Sequence, residues 1–172
     1  MLTRTQPNLR RRAAMTVAMA GLAVPTASTP AFGASAGAPS FATAEQIQSV
    51  AAAVKHPVYW LGPRAGFSYE LTVAASGRIY IRYLPKSAKL GDKRAIFKTV
   101  ATYPVKGALA NLRAGAKFLK RPVLKVGADG FALVSKPPTS VYLVFGTNDY
   151  QVEVFTPSAK LSKSAITSVK PI

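Results

Sequence analysis

Apolar and polar residues alternate along Ser68–Val73, with Tyr69, Leu71 and Val73 on one side and Glu70 and Thr72 on the other, and they alternate again along Arg78–Leu84. A period of two is the pattern of a strand that buries one face. Ala75-Ser76-Gly77 joins the two runs, and a three-residue loop ending in glycine suits a type I turn followed by a left-handed residue. That loop sets Val73 opposite Ile79, Leu71 opposite Ile81 and Tyr69 opposite Tyr83, and on the other face Glu70 opposite Arg82. A slip of one residue would place Leu71 against Tyr80 and Val73 against Arg78 and so mix the two faces.

The same reasoning extends along the chain. Thr43 with Gln46 three residues later forms a capping box, and Ile47, Val50, Ala51 and Val54 give the apolar stripe of a first helix, ended by His56-Pro57. Val58–Leu61 is a short aromatic strand. Pro85–Arg94 is a loop, and Ala95–Tyr103 is extended with Phe97, Thr99, Ala101 and Tyr103 on one side. Pro104 opens a second helix running to about Lys120 on an apolar face of Val105, Leu109, Leu112, Ala116 and Leu119. Val123–Val126 and Phe131–Val134 flank a Gly127–Gly130 turn. Val141–Phe145 and Tyr150–Phe155 form a further hairpin with Leu143 opposite Val152 and Val141 opposite Val154. Thr156-Pro157 starts a short last helix on Leu161, Ala165 and Val169. Runs of strands punctuated by helices imply an α+β fold: a mostly antiparallel sheet built from hairpins, packed with two main helices and a short C-terminal helix.

Composition changes the picture at the N-terminus. Arg10-Arg11-Arg12, the apolar run Ala13–Val24 and the small residues Ala34-Ser35-Ala36 have the order of a secretory signal peptide, and the run is too short to span a bilayer. Residues 1–36 are therefore expected to be a signal peptide, 37–42 a linker and 43–172 a single domain, secreted or extracytoplasmic. Without residues 1–36 the chain keeps 19 of 23 Lys+Arg, since four arginines leave, against 6 acids, a net charge of +13. There is no cysteine, so packing alone holds the domain.

That charge points to anionic partners. Lys86, Lys89, Lys93 and Arg94 crowd the loop after the central hairpin around Asp92. On the second helix Lys106, Arg113, Lys117 and Lys120, at offsets 0, 7, 11 and 14, align in one stripe beside the apolar face. Against polyanion binding stands a plain solvated face. Tyr59, Trp60 and Tyr80 form an aromatic ligand platform on one reading and sheet core on the other. Arg78, Tyr80 and Arg82 share the polar face of the hairpin, a pattern able to stack bases; expected export argues against intracellular nucleic acid.

Little chemistry is legible. With no cysteine, one histidine at a helix end, no Gly-x-Ser-x-Gly elbow and no phosphate loop, the usual catalytic signatures are missing, and no dense metal-ligand set or cofactor motif occurs. Glu70 and Glu153 are the one pair of strand carboxylates that would serve a glycosidase-type hydrolase.

His56-Pro57-Val58-Tyr59-Trp60-Leu61-Gly62-Pro63, Tyr69-Glu70-Leu71-Thr72, Gly77–Pro85 and Thr102-Tyr103-Pro104 together resemble a group of uncharacterised exported or membrane-anchored proteins of actinobacterial type. The likeness extends through Val152-Glu153-Val154 and Pro157-Ser158, nearly the whole expected mature chain. It implies one intact extracytoplasmic domain and brings no activity, ligand or site residue with it. The expectation from the residues is a non-catalytic binding or structural module that associates with anionic cell-envelope polymers or a membrane surface through its basic residues. The alternatives are an envelope-acting hydrolase and a protein-interaction domain using Val58–Leu61.

Overall fold

The computed structural model describes residues 37–147 and 149–172, the side chains of 160–163 excepted. The expected signal peptide and the side chain of Leu161 lie outside the described residues.

The central hairpin is β3 (Phe67–Val73) with β4 (Ile79–Pro85), paired in the register that alternation predicts: Val73 opposite Ile79, Leu71 opposite Ile81, Tyr69 opposite Tyr83 and Glu70 opposite Arg82. Gly77 turns the chain at φ 78°, in the region where a side chain is costly. β5 (Lys98–Pro104) continues the meander on β4. A second meander runs β6 (Leu124–Val126), β7 (Gly130–Val134), β8 (Ser140–Phe145) and β9 (Tyr150–Phe155), with Val141 opposite Val154 and Leu143 opposite Val152 as expected. The meanders join where β9 pairs antiparallel with β5, and β1 (Ser40–Ala42) adds one edge, giving the order β1-β3-β4-β5-β9-β8-β7-β6. The expected linker at 37–42 is therefore largely sheet: Ser40 to Ala42 pair with Leu71 to Tyr69, and Gly37 donates to the Val73 carbonyl. A separate two-stranded piece pairs β2 (Tyr59–Trp60) with β10 (Lys170–Pro171).

Among the described residues three helices pack on this sheet: α1 (Ala44–Ala53), α2 (Ala108–Phe118) and α3 (Ala159–Ser168), of 10, 11 and 10 residues, so the third is no shorter than the first. The capping box forms, with Gln46 N–H donating to Thr43 Oγ1 and Thr43 N–H to Gln46 Oε1. Ile47 and Val50 of α1 and Ala165 and Val169 at α3 cover one sheet face with Tyr69, Leu71, Ile79, Ile81, Val100, Val152 and Val154. α2 covers the opposite face, but only over β7 and β8, through Ala108, Leu112 and Ala116 on Leu133 and Val144. Among the described residues no helix packs on the rest of that second face, over β3, β4, β5 and β9. This asymmetry positions the candidate site.

Two helix starts differ from expectation. Pro104 ends β5 opposite Tyr150 instead of opening α2. Val105 N–H then donates to the Asp149 carbonyl, Gly107 N–H to Asp149 Oδ1, and the left-handed Gly107 (φ 65°) delays the helix to Ala108. α3 starts after Ser158 because the Thr156 hydroxyl donates to the Ser158 carbonyl, holding a turn before the helix. Among the described residues no helix is long and apolar enough to cross a membrane.

Candidate functional site

Alternation sends Thr72, Tyr80, Ala101, Tyr103 and Glu153 to the helix-free side of the sheet, where they floor an open groove of about 500 Å3. Its wall is the chain Gly91–Arg94 with Ala95 and Phe97, folded back over the strands. Leu84 of β4 and Phe97 are buried, at 0% and 6% exposure, outside both main cores.

Charged groups fasten the loop. Arg82 donates from Nη1 to Glu70 Oε1 at 2.6 Å and from Nη2 to the Asp92 carbonyl at 2.6 Å, while Gly91 N–H donates to Glu70 Oε2 at 2.6 Å. Glu70 is thus a buried carboxylate satisfied on both oxygens, and the guanidinium of Arg82 also stacks on Phe97 at 5.1 Å. Within the loop Arg94 chelates its neighbour Asp92, Nη2 to Oδ2 at 2.6 Å. Those hydrogen bonds hold the Asp92 carboxyl down at about 2, and the same contact raises the Arg94 guanidinium.

The other end of the groove is a hydroxyl cluster. Tyr103 donates to Glu153 Oε2 at 2.9 Å and Ser140 to Glu153 Oε1 at 2.8 Å. Burial first, and the Glu153 carboxylate second, push the Tyr103 phenol well above its ordinary range. Tyr80 meets Tyr103 edge to face, centroids 5.8 Å apart, and Arg78 lies over the Tyr103 ring at 5.7 Å. The floor is aromatic, flanked by a cation, and half-exposed.

The sequence-predicted residues distribute unevenly. Lys93 and Arg94 line the groove, and Lys86 and Lys89 are exposed on the segment leading to its wall. The helical stripe does not form. Only Arg113 and Lys117 lie on α2, Lys106 precedes it, and Lys120 follows it as the left-handed residue (φ 51°) of the closing turn. In that turn Arg121 N–H donates to the Ala116 carbonyl and Lys120 N–H to that of Lys117, a Schellman arrangement. Arg113 stacks on Phe131 at 5.2 Å, and Phe118 beside Lys117 is 86% exposed.

Of the aromatic trio only Tyr80 faces the groove. Tyr59 and Trp60 are buried in the core, Tyr59 stacked on Phe145 and Trp60 against Tyr69, which removes them as an exposed platform. His56 stacks on Tyr150 outside the groove. Glu70 and Glu153 both line the groove, but β3 and β9 are separated by two strands. At about 4.8 Å per interval their backbones stand some 14 Å apart, wider than the roughly 5–9.5 Å of glycosidase carboxylate pairs. Tyr103, Ser140, Phe97 and Phe155 were not singled out from sequence as site residues. The alternation of Phe97, Thr99, Ala101 and Tyr103 did carry the signal for one side of the floor.

Among the described residues no group of three or more histidine, aspartate or glutamate side chains is placed to hold a metal ion. Compared with protein-family models, with curated proteins and with solved structures, the chain gives no match.

Proposed function

We propose that this protein is an extracytoplasmic, non-catalytic binding module that holds a strand of an anionic envelope polymer along the helix-free face of its sheet. One observation carries the reading: the acids of this face are engaged internally. Glu70 and Asp92 are paired with Arg82 and Arg94, and Glu153 accepts from two hydroxyls. Lys86, Lys89 and Lys93 make no ion pair among the described residues; Lys93 lines the groove with Tyr80 and Tyr103, and Lys86 and Lys89 are exposed on the segment that leads to its wall. Cations that no internal acid neutralises, next to aromatic rings, suit a chain that alternates negative groups with flat or ring-shaped apolar surface.

The geometry also favours binding over hydrolysis, because the two groove carboxylates are separated by two strands and each is held by donors of the protein itself. The test is charge reversal of Lys86, Lys89 and Lys93 to glutamate, with Tyr80→Ala alongside, in the full chain mixed with envelope fractions of its own cell. The triple variant loses most of the association and Tyr80→Ala part of it, with thermal unfolding unchanged. Association at the wild-type level in both would discard the groove as the site.

A further inference from the structure

A second, smaller cavity lies on the opposite side of the sheet, between α3 and the first residue of β5. It measures about 250 Å3 and is lined by Leu61, Pro63, Arg64, Tyr83, Lys98, Ser164, Ala165 and Ser168. Two of these residues are cations and none is an acid. Lys98 is directly opposite Tyr83 in the β4–β5 ladder, on the face that otherwise carries the apolar core. Lys98 is partly buried there, at the first residue of β5 on the margin of that face, and a half-buried ammonium favours an opposite charge or acceptor nearby.

Among the described residues no acid supplies such a partner. All six acids of the protein are described, and none lines this cavity. The two ion pairs among the described residues use Glu70 and Asp92 on the other face. The Tyr83 hydroxyl is occupied, accepting from Leu61 N–H at 2.8 Å and donating to the Gly62 carbonyl at 3.2 Å. Ser168 donates its hydroxyl to the Ser164 carbonyl. Arg64 is placed by its own N–H, which donates to the Tyr69 hydroxyl at 2.7 Å, and by stacking of its guanidinium on Phe67 at 5.1 Å. No described hydrogen bond uses the Lys98 ammonium or the Arg64 guanidinium donors. Burial, and then the neighbouring Arg64 charge, lower the Lys98 ammonium from its ordinary range, as expected of two like charges facing a shared space.

We infer that this cavity is a binding site for a tetrahedral oxyanion, a phosphoryl or sulfuryl group, held between the Lys98 ammonium and the Arg64 guanidinium. An arginine fork with a lysine point charge matches such a group, and the volume suits a small headgroup better than a drug-sized ligand. The last turn of α3 contributes partial negative charge nearby, about half an elementary charge, which two full cations outweigh. The site is on the other side of the sheet from the groove and stands or falls independently of it.

The probes are inorganic phosphate, sulfate and glycerol phosphate, titrated into the full chain at constant ionic strength maintained with chloride. Three readouts are followed: thermal unfolding, the Lys98 side-chain resonance and the Arg64 side-chain resonance. Saturable stabilisation is expected, with an elevenfold gain in the folding constant at about ten times the dissociation constant. The Lys98 ammonium should titrate at higher pH when the anion is bound, because an opposite charge favours its protonated form. Lys98→Met and Arg64→Gln should each abolish the saturable part, whereas Lys125→Gln, exposed on β6 and lining neither cavity, should leave it intact. Arg64 is exposed, so its variant keeps the fold even if Lys98→Met does not. Tighter binding of glycerol phosphate assigns an organic phosphate as the source, and equal binding a free oxyanion. An effect of phosphate that is identical in wild type, Lys98→Met and Arg64→Gln, or resonances of both residues that do not move, would overturn the site.

Discussion

Replacing Glu70 with alanine should release the loop that walls the groove. The carboxylate takes one guanidinium N–H of Arg82 and the Gly91 amide, each at 2.6 Å, and the two side chains are only 4% and 17% exposed. An exposed ion pair contributes roughly 0.2–1 kcal/mol, whereas breaking a buried one costs about 3–5 kcal/mol because the surviving charge is stranded. Arg82 keeps a second partner in the Asp92 carbonyl and its stacking on Phe97, which places the expected cost at the lower end, about 3 kcal/mol. For a domain of this size that corresponds to a fall in Tm of roughly 10 °C. Urea unfolding of Glu70→Ala, Arg82→Met and the double variant closes a cycle whose coupling should be about 2 kcal/mol, since removing both charges strands neither. Exchange of the Gly91 amide should accelerate in the single Glu70 variant. A Glu70→Ala protein within about 1 kcal/mol of wild type, with Gly91 exchange unchanged, would refute the idea that this pair anchors the loop.

Four further outcomes follow from particular contacts. The Asp92 carboxyl titrates at about 2 beside Arg94, against an ordinary 3.8; its contribution to stability is present above that ordinary value and is lost as pH falls through about 2. A carboxyl chemical-shift titration checks this, and Arg94→Gln should return the midpoint toward 3.8. Lys120→Gly should stabilise by about 0.5–1 kcal/mol, because a left-handed lysine closes α2 where glycine carries no such cost; denaturant midpoints decide it. Thr43→Ala should cost about 1 kcal/mol by removing one arm of the α1 capping box, visible as lower helicity and an earlier unfolding midpoint. Gly130→Ala should cost about 2 kcal/mol, since its Cβ would sit 2.5 Å from the Val126 carbonyl and 3.0 Å from the Phe145 ring; loss of amide protection across β6 and β7 is the signature.

Much of the fold was legible where local rules suffice. The registers of the central and the last hairpin follow from alternation and loop length, and the α1 capping box from two residues at a fixed spacing. The short edge pieces β1 and β10 were not legible, because segments of three and two residues become strands only through the partner that receives them. The start of α2 was misplaced because Pro104 suits a helix start and a strand end equally, and the choice is made by Asp149, distant in sequence and reached only once β9 joins β5. That joining also explains the partial view of the site. Tyr80 and the Arg82–Glu70 pair come from one hairpin and could be placed on its polar face. Glu153 meets Tyr103 only through strand order, and no local pattern encodes that. The basic stripe failed for a related reason: helical periodicity was projected onto Lys106 and Lys120, which lie outside the helix.

The central claim is that cations left unneutralised beside the groove hold an anionic polymer. Co-sedimentation of the full chain with envelope fractions of its own cell, across a salt series, tests it most directly. The account predicts association that is strong at low salt and fades steeply as the Debye length falls from roughly 30 Å at 0.01 M to about 8 Å at physiological strength. Association that does not change with salt, or none at low salt, would contradict it.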